Sequence, residues 1–288
     1  MNTLKHIQEF LSALFSSLMS LIKILISSRP VSKLPSRKND TCVILGNGPS
    51  LETSILEAGE ILYQSDLICV NFFPLTHLFE QLKPRFFVAC DSILWDKTFT
   101  SDLVVKSEKM FEQINSIVDW DFYLFMPRIS KNKGDWHQRI STNKNIHVHY
   151  YNLTPVEGLK KINFYLYSFG LGMPRPHNVL IPSIVHAINL QYKRIFLLGV
   201  DHSWLSEIKT NDDNKVMVGQ NHFYDDNTTK NQIRKSKTES MKLHEVLETF
   251  ATVFRGYYEL NDFSKTKNIN IINSTPNSFI DAFNRQNL

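Results

Sequence analysis

Short apolar runs alternate along this chain with longer stretches that have helical periodicity. The runs that predict buried strands are TCVILG, LICVNFF, PRFFVACDS, DFYLFM, IHVHYYN, RIFLLGVD and NINIINS. Helices are predicted at residues 50–63, in VLIPSIVHAINLQ and in SMKLHEVLETFATVFRGYY. Strands that alternate with helices favour βαβ units, so we expect an α/β, Rossmann-like, mainly parallel sheet with helices on both faces.

The N-terminal segment, residues 4–26, has the pattern of an amphipathic helix. Its apolar positions recur at spacings of four and three, at Ile7, Leu11, Leu14, Leu18, Leu21 and Leu25. Serines lie largely opposite, and they interrupt the segment too often for a convincing membrane span. The linker SSRPVSKLPSRKND, which carries four basic residues, follows it. We therefore expect a helix at a membrane surface with anionic headgroups, or one packed on its own domain or a second subunit.

The chain divides by pattern into residues 1–39, the amphipathic helix and linker, and residues 40–288, the α/β domain. Within the second part, residues 211–237 are polar and rich in Asn, Asp and Lys. A structureless loop of this length is unusual except as a lid or a disordered segment. We predict a lid at about residues 205–240.

Composition narrows the classes of function only slightly. The formal net charge is +4, which scattered surface lysines explain as well as a polyanionic partner does. The three cysteines are too few and too unevenly spaced for a disulfide framework or a zinc site, and each adjoins an apolar run. They predict small core residues in a reducing, cytoplasmic compartment. We expect no nucleic-acid partner and no metal.

The stretch GNGPS, residues 46–50, follows the first strand. In an open α/β sheet, ligands bind beyond the carboxyl ends of the strands. Gly46 and Gly48 would let the backbone approach a phosphate, Asn47 offers both a donor and an acceptor, and Ser50 can cap the next helix. The stretch is neither GxGxxG nor a P-loop. A simple turn with a good helix cap explains it equally well.

Three other predicted strands end in small or polar residues. Because the carboxyl ends of parallel strands meet at one edge of a sheet, these residues should gather near Asn47. They are Asn71, Asp91, Ser92, Gly199, Asp201 and His202.

GNGPSL, the strand that ends in Asn71, the helix VLIPSIVHAINLQYK and the strand IFLLGVD together resemble the bacterial sialyltransferases of the Campylobacter lipooligosaccharide type. The resemblance covers most of residues 41–205, and the ending INSTPNSFIDAF is also similar. GNGPSL occurs as well in a wider Rossmann-like group that includes archaeal pterin diphosphokinase-like enzymes and flagellin glycosylation factors. The resemblance implies a modified glycosyltransferase A-type fold, a CMP-sugar donor, inversion at the anomeric carbon and no metal. It also implies that residues 40–288 form a nucleotide-sugar-binding catalytic domain.

The resemblance also assigns roles to residues. Asn47 and Asn71 match asparagines that contact CMP, Asn178 falls where a Thr-Ser pair contributes, and Asp91 falls near a third asparagine. His202 and Ser203 replace a Phe-Tyr pair whose tyrosine holds the donor phosphate.

Lys235 stands where the family has its general base, a histidine. We therefore assign the base to His222 and then to His202, because a histidine pKa lies near neutrality. Tyr224 would orient the phosphate or the acceptor, and Lys235 or Arg234 would offset the charge of the leaving group.

The sequence thus predicts a metal-independent inverting glycosyltransferase that moves a sialic acid-like or Kdo-like sugar from CMP to a surface glycan or glycolipid. It would be cytoplasmic and peripheral at the inner face of the cell membrane, bound through residues 4–26, and could form a homo-oligomer. Two alternatives remain. One is an ATP- and Mg-dependent pyrophosphokinase-like enzyme with Asp91 and Asp201 on the metal, and the other is a non-catalytic glycan-assembly protein of the same fold.

Overall fold

A computed structural model describes residues 2–99, 101–220, 229–232 and 240–288 of the chain. The helices are α1 (Asn2–Ser27), α2 (Leu51–Ala58), α3 (Glu60–Tyr63), α4 (His77–Leu82), α5 (Ser101–Ile117), α6 (Trp136–Ile140), α7 (Lys160–Ser168), α8 (Leu180–Asn189) and α9 (Leu243–Thr266). The strands are β1 (Thr41–Leu45), β2 (Asp66–Val70), β3 (Phe86–Val88), β4 (Phe122–Pro127), β5 (Ile146–Tyr151), β6 (Arg194–Leu198), β7 (Ile208–Thr210), β8 (Val216–Gln220), β9 (Thr229–Gln232), β10 (Asn270–Asn273) and β11 (Asn284–Arg285).

Eight of the described strands form one sheet in the order β11-β10-β6-β1-β2-β3-β4-β5. Every pairing within it is parallel. Strand β1 lies in the middle, with Leu45 opposite Cys69 of β2 on one side and Leu198 of β6 on the other. The predicted parallel α/β fold is confirmed.

Helices cover both faces of this sheet, because alternate residues of the strands feed two separate apolar cores. Cys42 and Ile44 of β1 pack in the core that also contains residues of α7, α8 and α9. Val43 and Leu45 point the other way, into the core that contains residues of α2, α4, α5 and α6. Strands buried on both faces are continuous apolar runs, which is why the sequence pattern predicted them.

The stretch predicted to be a lid, about residues 205–240, contains three strands in its described part, and its role as a lid stays a prediction. Strands β7, β8 and β9 form a small antiparallel sheet. Val216 and Val218 of β8 are buried on one face of it, 3% and 1% exposed. Two alternating valines are enough to bury one side of a short strand, and the surrounding polar residues hid that alternation in the sequence.

The N-terminal helix is present, and the segment after it lies along the domain. The Arg29 backbone N–H donates to Asn152 Oδ1 at 3.1 Å, and Arg85 Nη1 donates to Ser36 O at 2.7 Å. The Lys38 backbone N–H donates to Asp66 Oδ2 at 2.8 Å. These contacts fix the linker on the amino-terminal edge and flank of the sheet, while the division at residue 39 stays a prediction.

Candidate functional site

The order of the sheet predicts a ligand-binding crevice at the carboxyl ends of β1 and β6. From β1 the chain builds outward through β2 to β5, and it then returns to add β6 and β10 on the opposite side of β1. In parallel α/β sheets, ligands bind where the strand order reverses in this way. The loops that flank this point are residues 46–50 after β1 and residues 199–205 after β6.

The two loops contact each other so closely that glycine is required at the contact positions. Gly46 N–H donates to Leu198 O at 2.7 Å, and Gly48 N–H donates to Gly199 O at 2.8 Å. A Cβ on Gly46 would lie 2.3 Å from Gly199 O. The sequence predicts that Gly46 and Gly48 make room for a phosphate. Contact with the neighbouring loop is by itself enough to explain why both positions are glycine.

Asp201, at the tip of β6, occupies the start of helix α2. Its Oδ2 accepts from Ser50 Oγ at 2.9 Å, and its Oδ1 accepts from the Ser50 backbone N–H at 3.3 Å. Ser50 itself makes no side-chain cap. Burial raises the pKa of Asp201, while the bonds from Ser50 oppose that rise. A carboxylate at this helix end is favourable for the dipole and fills the place where the sequence suggested an anion.

Asn47 joins the end of β1 to the end of β2. Its side chain is 7% exposed, and Nδ2 donates to Val70 O at 3.1 Å. Asn71 is the next residue and has a left-handed backbone with φ +51°. The two asparagines that the sequence singled out are therefore neighbours. Asn47 Oδ1 is buried with no hydrogen-bond partner among the described residues.

Asn178, His202 and Tyr257 form a second polar cluster beside β6. Asn178 Oδ1 accepts from the backbone N–H groups of Leu180 and Ile181 and so caps α8. Its Nδ2 donates to the Tyr257 hydroxyl at 2.7 Å, and that hydroxyl lies 2.5 Å from His202 Nε2. The Tyr257 hydroxyl donates to His202 Nε2 or accepts from it, according to the tautomer of the ring.

The surroundings of His202 favour the neutral form of its ring. Burial lowers the pKa of His202 to about 3. A general base works best when its pKa lies near the working pH, so His202 would be a weak base in this form.

Aromatic side chains form one wall beside this cluster. The Trp204 ring lies 4.0 Å from that of Phe250 and 5.1 Å from that of His202, measured between ring centroids. Phe254 contacts the same group. The sequence places Trp204 beyond the end of β6, but it gives no sign of Phe250, Phe254 or Tyr257, because α9 lies some fifty residues beyond β6 and nothing in its local pattern links the two.

Asp91 and Ser92 lie two strands away from β1, after β3. Asp91 is exposed, and its Oδ1 accepts from the Ile93 backbone N–H at 3.1 Å. The residue before them, Cys90, contacts the segment that leads to Asn178, and its Sγ donates to Pro176 O at 3.8 Å. Burial raises the pKa of the Cys90 thiol to about 12, so it stays a thiol.

Four residues of the predicted site, His222, Tyr224, Arg234 and Lys235, lie outside the described residues. Their roles stay predictions. Within the part of the chain that the structure describes, no group of three or more His, Cys, Asp or Glu side chains is placed to hold a metal ion.

Comparison with known proteins gives little beyond this geometry. No protein-family model matches the chain, and no curated protein matches it. Among solved structures it is similar to the "Structure of MAf glycosyltransferase from Magnetospirillum magneticum AMB-1", with 12% sequence identity and a TM-score of 0.49. The match covers 90% of this chain and 35% of that one, so this chain spans about a third of the length of that protein.

Proposed function

We propose that the chain is an inverting glycosyltransferase that moves a sialic acid-like or Kdo-like sugar from CMP to a surface glycan or glycolipid. One observation carries the proposal. Asn47 and Asn71, the two residues that match CMP-contacting asparagines in the family it resembles, follow the neighbouring strands β1 and β2, and Asn47 Nδ2 donates to Val70 O, directly before Asn71.

Asn47 Oδ1 favours a nucleoside over a bare phosphate at this place. A buried acceptor without a partner costs about 1–3 kcal/mol, and a bound group that donates a hydrogen bond would recover that energy after a small local rearrangement. A cytosine amine and a ribose hydroxyl are donors. An ionised phosphate only accepts hydrogen bonds. In addition, Asp201 already places a carboxylate at the N-terminus of α2.

The transfer needs a base and a group that offsets the charge of the leaving CMP. The acceptor oxygen would bond to the anomeric carbon from the side opposite the phosphate, and the bond from that carbon to the phosphate oxygen would break with its electron pair leaving on CMP. The hydroxyl proton would pass to His222, since His202 is held in a weakly basic form. Lys235, Arg234 or Tyr224 would stabilise the leaving phosphate.

Calorimetric titration of the purified chain with CMP, CDP, UDP, GDP and ATP, each with EDTA and then with Mg²⁺, tests the nucleotide. We expect CMP or CDP to bind with EDTA present. Binding of ATP that needs Mg²⁺ would favour the pyrophosphokinase-like alternative. Absence of binding by any of the five would favour the non-catalytic alternative, and either result would overturn the proposal.

Two glycine substitutions localise the nucleotide. Asn71 and Asn268 both have a positive φ, +51° and +56°, so glycine relieves backbone strain at both. Asn268 lies at the opposite edge of the sheet, just before β10. We expect Asn71→Gly to weaken CMP binding about three- to tenfold, the value of one hydrogen bond, and Asn268→Gly to leave it unchanged.

A third variant tests the base. His222→Ala should lower the rate of sugar transfer about a hundredfold or more and leave CMP affinity unchanged. Unchanged turnover would show that the base assignment is wrong, while the nucleotide site would still stand.

A further inference from the structure

Helix α1 packs on the domain through its serines. Ser17 and Ser20 are each 1% exposed. Ser20 Oγ donates to Glu157 O at 2.9 Å and accepts from the Glu157 backbone N–H at 2.9 Å. Ser17 Oγ accepts from the Leu159 backbone N–H at 2.8 Å. Just after the helix, Ser28 Oγ donates to Leu171 O.

The surface that receives these serines is built for close approach. A Cβ on Gly158 would lie 2.3 Å from Ser17 Oγ and 2.5 Å from Ser17 N. A Cβ on Gly172 would lie 2.2 Å from Val156 Cγ2 within the domain and 3.2 Å from Ile24 Cδ1 of the helix. Because glycine and serine allow two backbones to come near each other, the serine face of α1 is the docked face.

The apolar face of the same helix is therefore left uncovered. At roughly 100° per residue, its exposed large side chains fill an arc of roughly 180° that does not overlap the docked face. The exposed members of this arc, from 39% to 80% exposed, are Leu4, Ile7, Phe10, Leu11, Leu14, Phe15, Leu18, Met19, Leu21, Ile22, Leu25 and Ile26. So large an exposed apolar patch marks an interaction site.

We propose that α1 lies in the plane of a membrane surface, with this apolar arc in the lipid and the serine face holding the domain. The charges suit an anionic lipid surface. Lys5 and Lys23 lie beyond one edge of the arc, residues 10–22 contain no charge, and Arg29 and Lys33 follow the helix on exposed positions. This membrane contact is independent of sugar transfer.

A spanning orientation conflicts with the docked serines. Residues 4–27 are long and apolar enough to cross a membrane by length and composition. Ser17, Ser20 and Ile24, however, all contact the domain from within that window. A span would carry the Gly158 backbone and the neighbouring Arg175–Glu157 ion pair, which is 2.9 Å long, into hydrocarbon.

A second copy of the chain fits the arc less well than lipid does. The positions Leu11, Leu14, Leu18, Leu21 and Leu25 alone would make the narrow seam of a two-stranded coiled coil. Phe15 and Ile26 lie outside that seam, yet they are 65% and 69% exposed. Positions beside a seam are typically charged, whereas a lipid surface covers the full width of the arc.

If the proposed function also holds, the membrane contact brings the site to a lipid-linked acceptor. Gly172, at the docking surface, is six residues before Asn178, and six residues span at most about 22 Å. The docked helix therefore keeps the crevice near the lipid surface.

Flotation of the full chain with closed vesicles, without nucleotide, tests the membrane contact. Vesicles of phosphatidylcholine with a quarter of phosphatidylglycerol should bind the chain more tightly than phosphatidylcholine alone. The triple variant Leu11→Gln, Leu18→Gln and Leu25→Gln should bind at least about a hundredfold more weakly, because three apolar side chains are lost. The matched control, Ser12→Gln with Ser27→Gln on the exposed polar side, should bind as the original chain does.

The orientation and the competing occupant have their own readouts. A protease added outside the vesicles should remove a tag fused before Met1 from the bound chain, since an in-plane helix leaves both ends outside. Protection of that tag would show a span and overturn the proposal. A second result would also overturn it: the chain does not bind vesicles but forms a dimer in sedimentation equilibrium, and the triple variant is a monomer. Because no nucleotide is used, these outcomes are distinct from a failure of the proposed function.

Discussion

Helix α8 buries every residue from Leu180 to Ile188, whereas α1 buries two serines and one isoleucine and exposes its leucines. Both helices are apolar enough to be assigned to a core from composition alone. In α8 the apolar side chains pack between the sheet and α9, so hydrophobic burial holds the helix in place. In α1 the docked face consists of small polar groups, and the apolar face is left for something outside the domain. Apolar content predicts that a face will be covered, and the position of the small residues indicates which face the domain itself covers.

The largest expected effect comes from shortening a buried side chain in α8 and an exposed one in α1. Ile184→Ala should lower the free energy of unfolding by about 2–5 kcal/mol, because it leaves a cavity where Ile184 is 0% exposed. Leu18→Ala in α1, where the side chain is 55% exposed, should change it by less than about 0.5 kcal/mol. Urea unfolding of both variants, without lipid, measures the difference. Equal effects would mean that α1 is buried in solution.

A methyl group at the docking surface should release α1 without unfolding the domain. Gly158 has φ +123°, and an alanine there would clash with Ser17, so the docked state should lose about 2–4 kcal/mol. Hydrogen exchange of the α1 amides should then accelerate while that of β1 and β6 stays slow. Gly59→Ala is the control, because Gly59 also has a positive φ but the nearest atom to its added Cβ is 4.0 Å away. Exchange that accelerates throughout the sheet would show that α1 and the domain unfold together.

These contrasts also indicate what the sequence could predict. The strands were predictable because they are buried on both faces, while the crevice that glycine and asparagine after β1 indicate stays a prediction. Proximity of Asn47 to Asn71 followed from the parallel order of neighbouring strands. Each of these inferences used residues close together in sequence.

The missed features depend on contacts between distant segments. Tyr257 reaches His202 from α9, and Gly48 is required by a side chain, Asp201, in the loop after β6. The serines of α1 resemble an ordinary solvent-facing side until Gly158 and Glu157 are placed against them. No periodicity along one segment encodes such a partner.

Acid should lower the free energy of unfolding because α8 contains a buried histidine. Burial is the main cause that lowers the pKa of His186, to about 3 from 6.5, and His149 adds to it. The unfolded chain then binds a proton below about pH 6.5 and the folded one does not, so stability falls from pH 6.5 towards pH 3. At pH 5 the loss from this group is about 2 kcal/mol.

A leucine in place of His186 should make the free energy of unfolding depend less on pH in this range. Urea unfolding of His186→Leu at pH 7.5 and pH 5 should show a smaller loss than the original chain shows, while His202 still contributes in the same direction. His6→Gln, at an exposed position of α1, should leave the loss as it was. An unchanged loss in His186→Leu would exclude this histidine as the cause.

The smallest expected effect tests whether the docked face of α1 is held by its hydrogen bonds or by the small size of its side chains. Ser20→Ala keeps the close approach but removes the hydroxyl that pairs with both backbone groups of Glu157, so docking of α1 should weaken by about 1–2 kcal/mol. Ser12→Ala, on the exposed polar side, should strengthen the helix slightly because alanine has the higher helix propensity. Hydrogen exchange of the α1 amides measures both. If Ser20→Ala docks as firmly as the original chain, small size alone selects this face. The hydroxyls then serve only to satisfy backbone groups that α1 has removed from water.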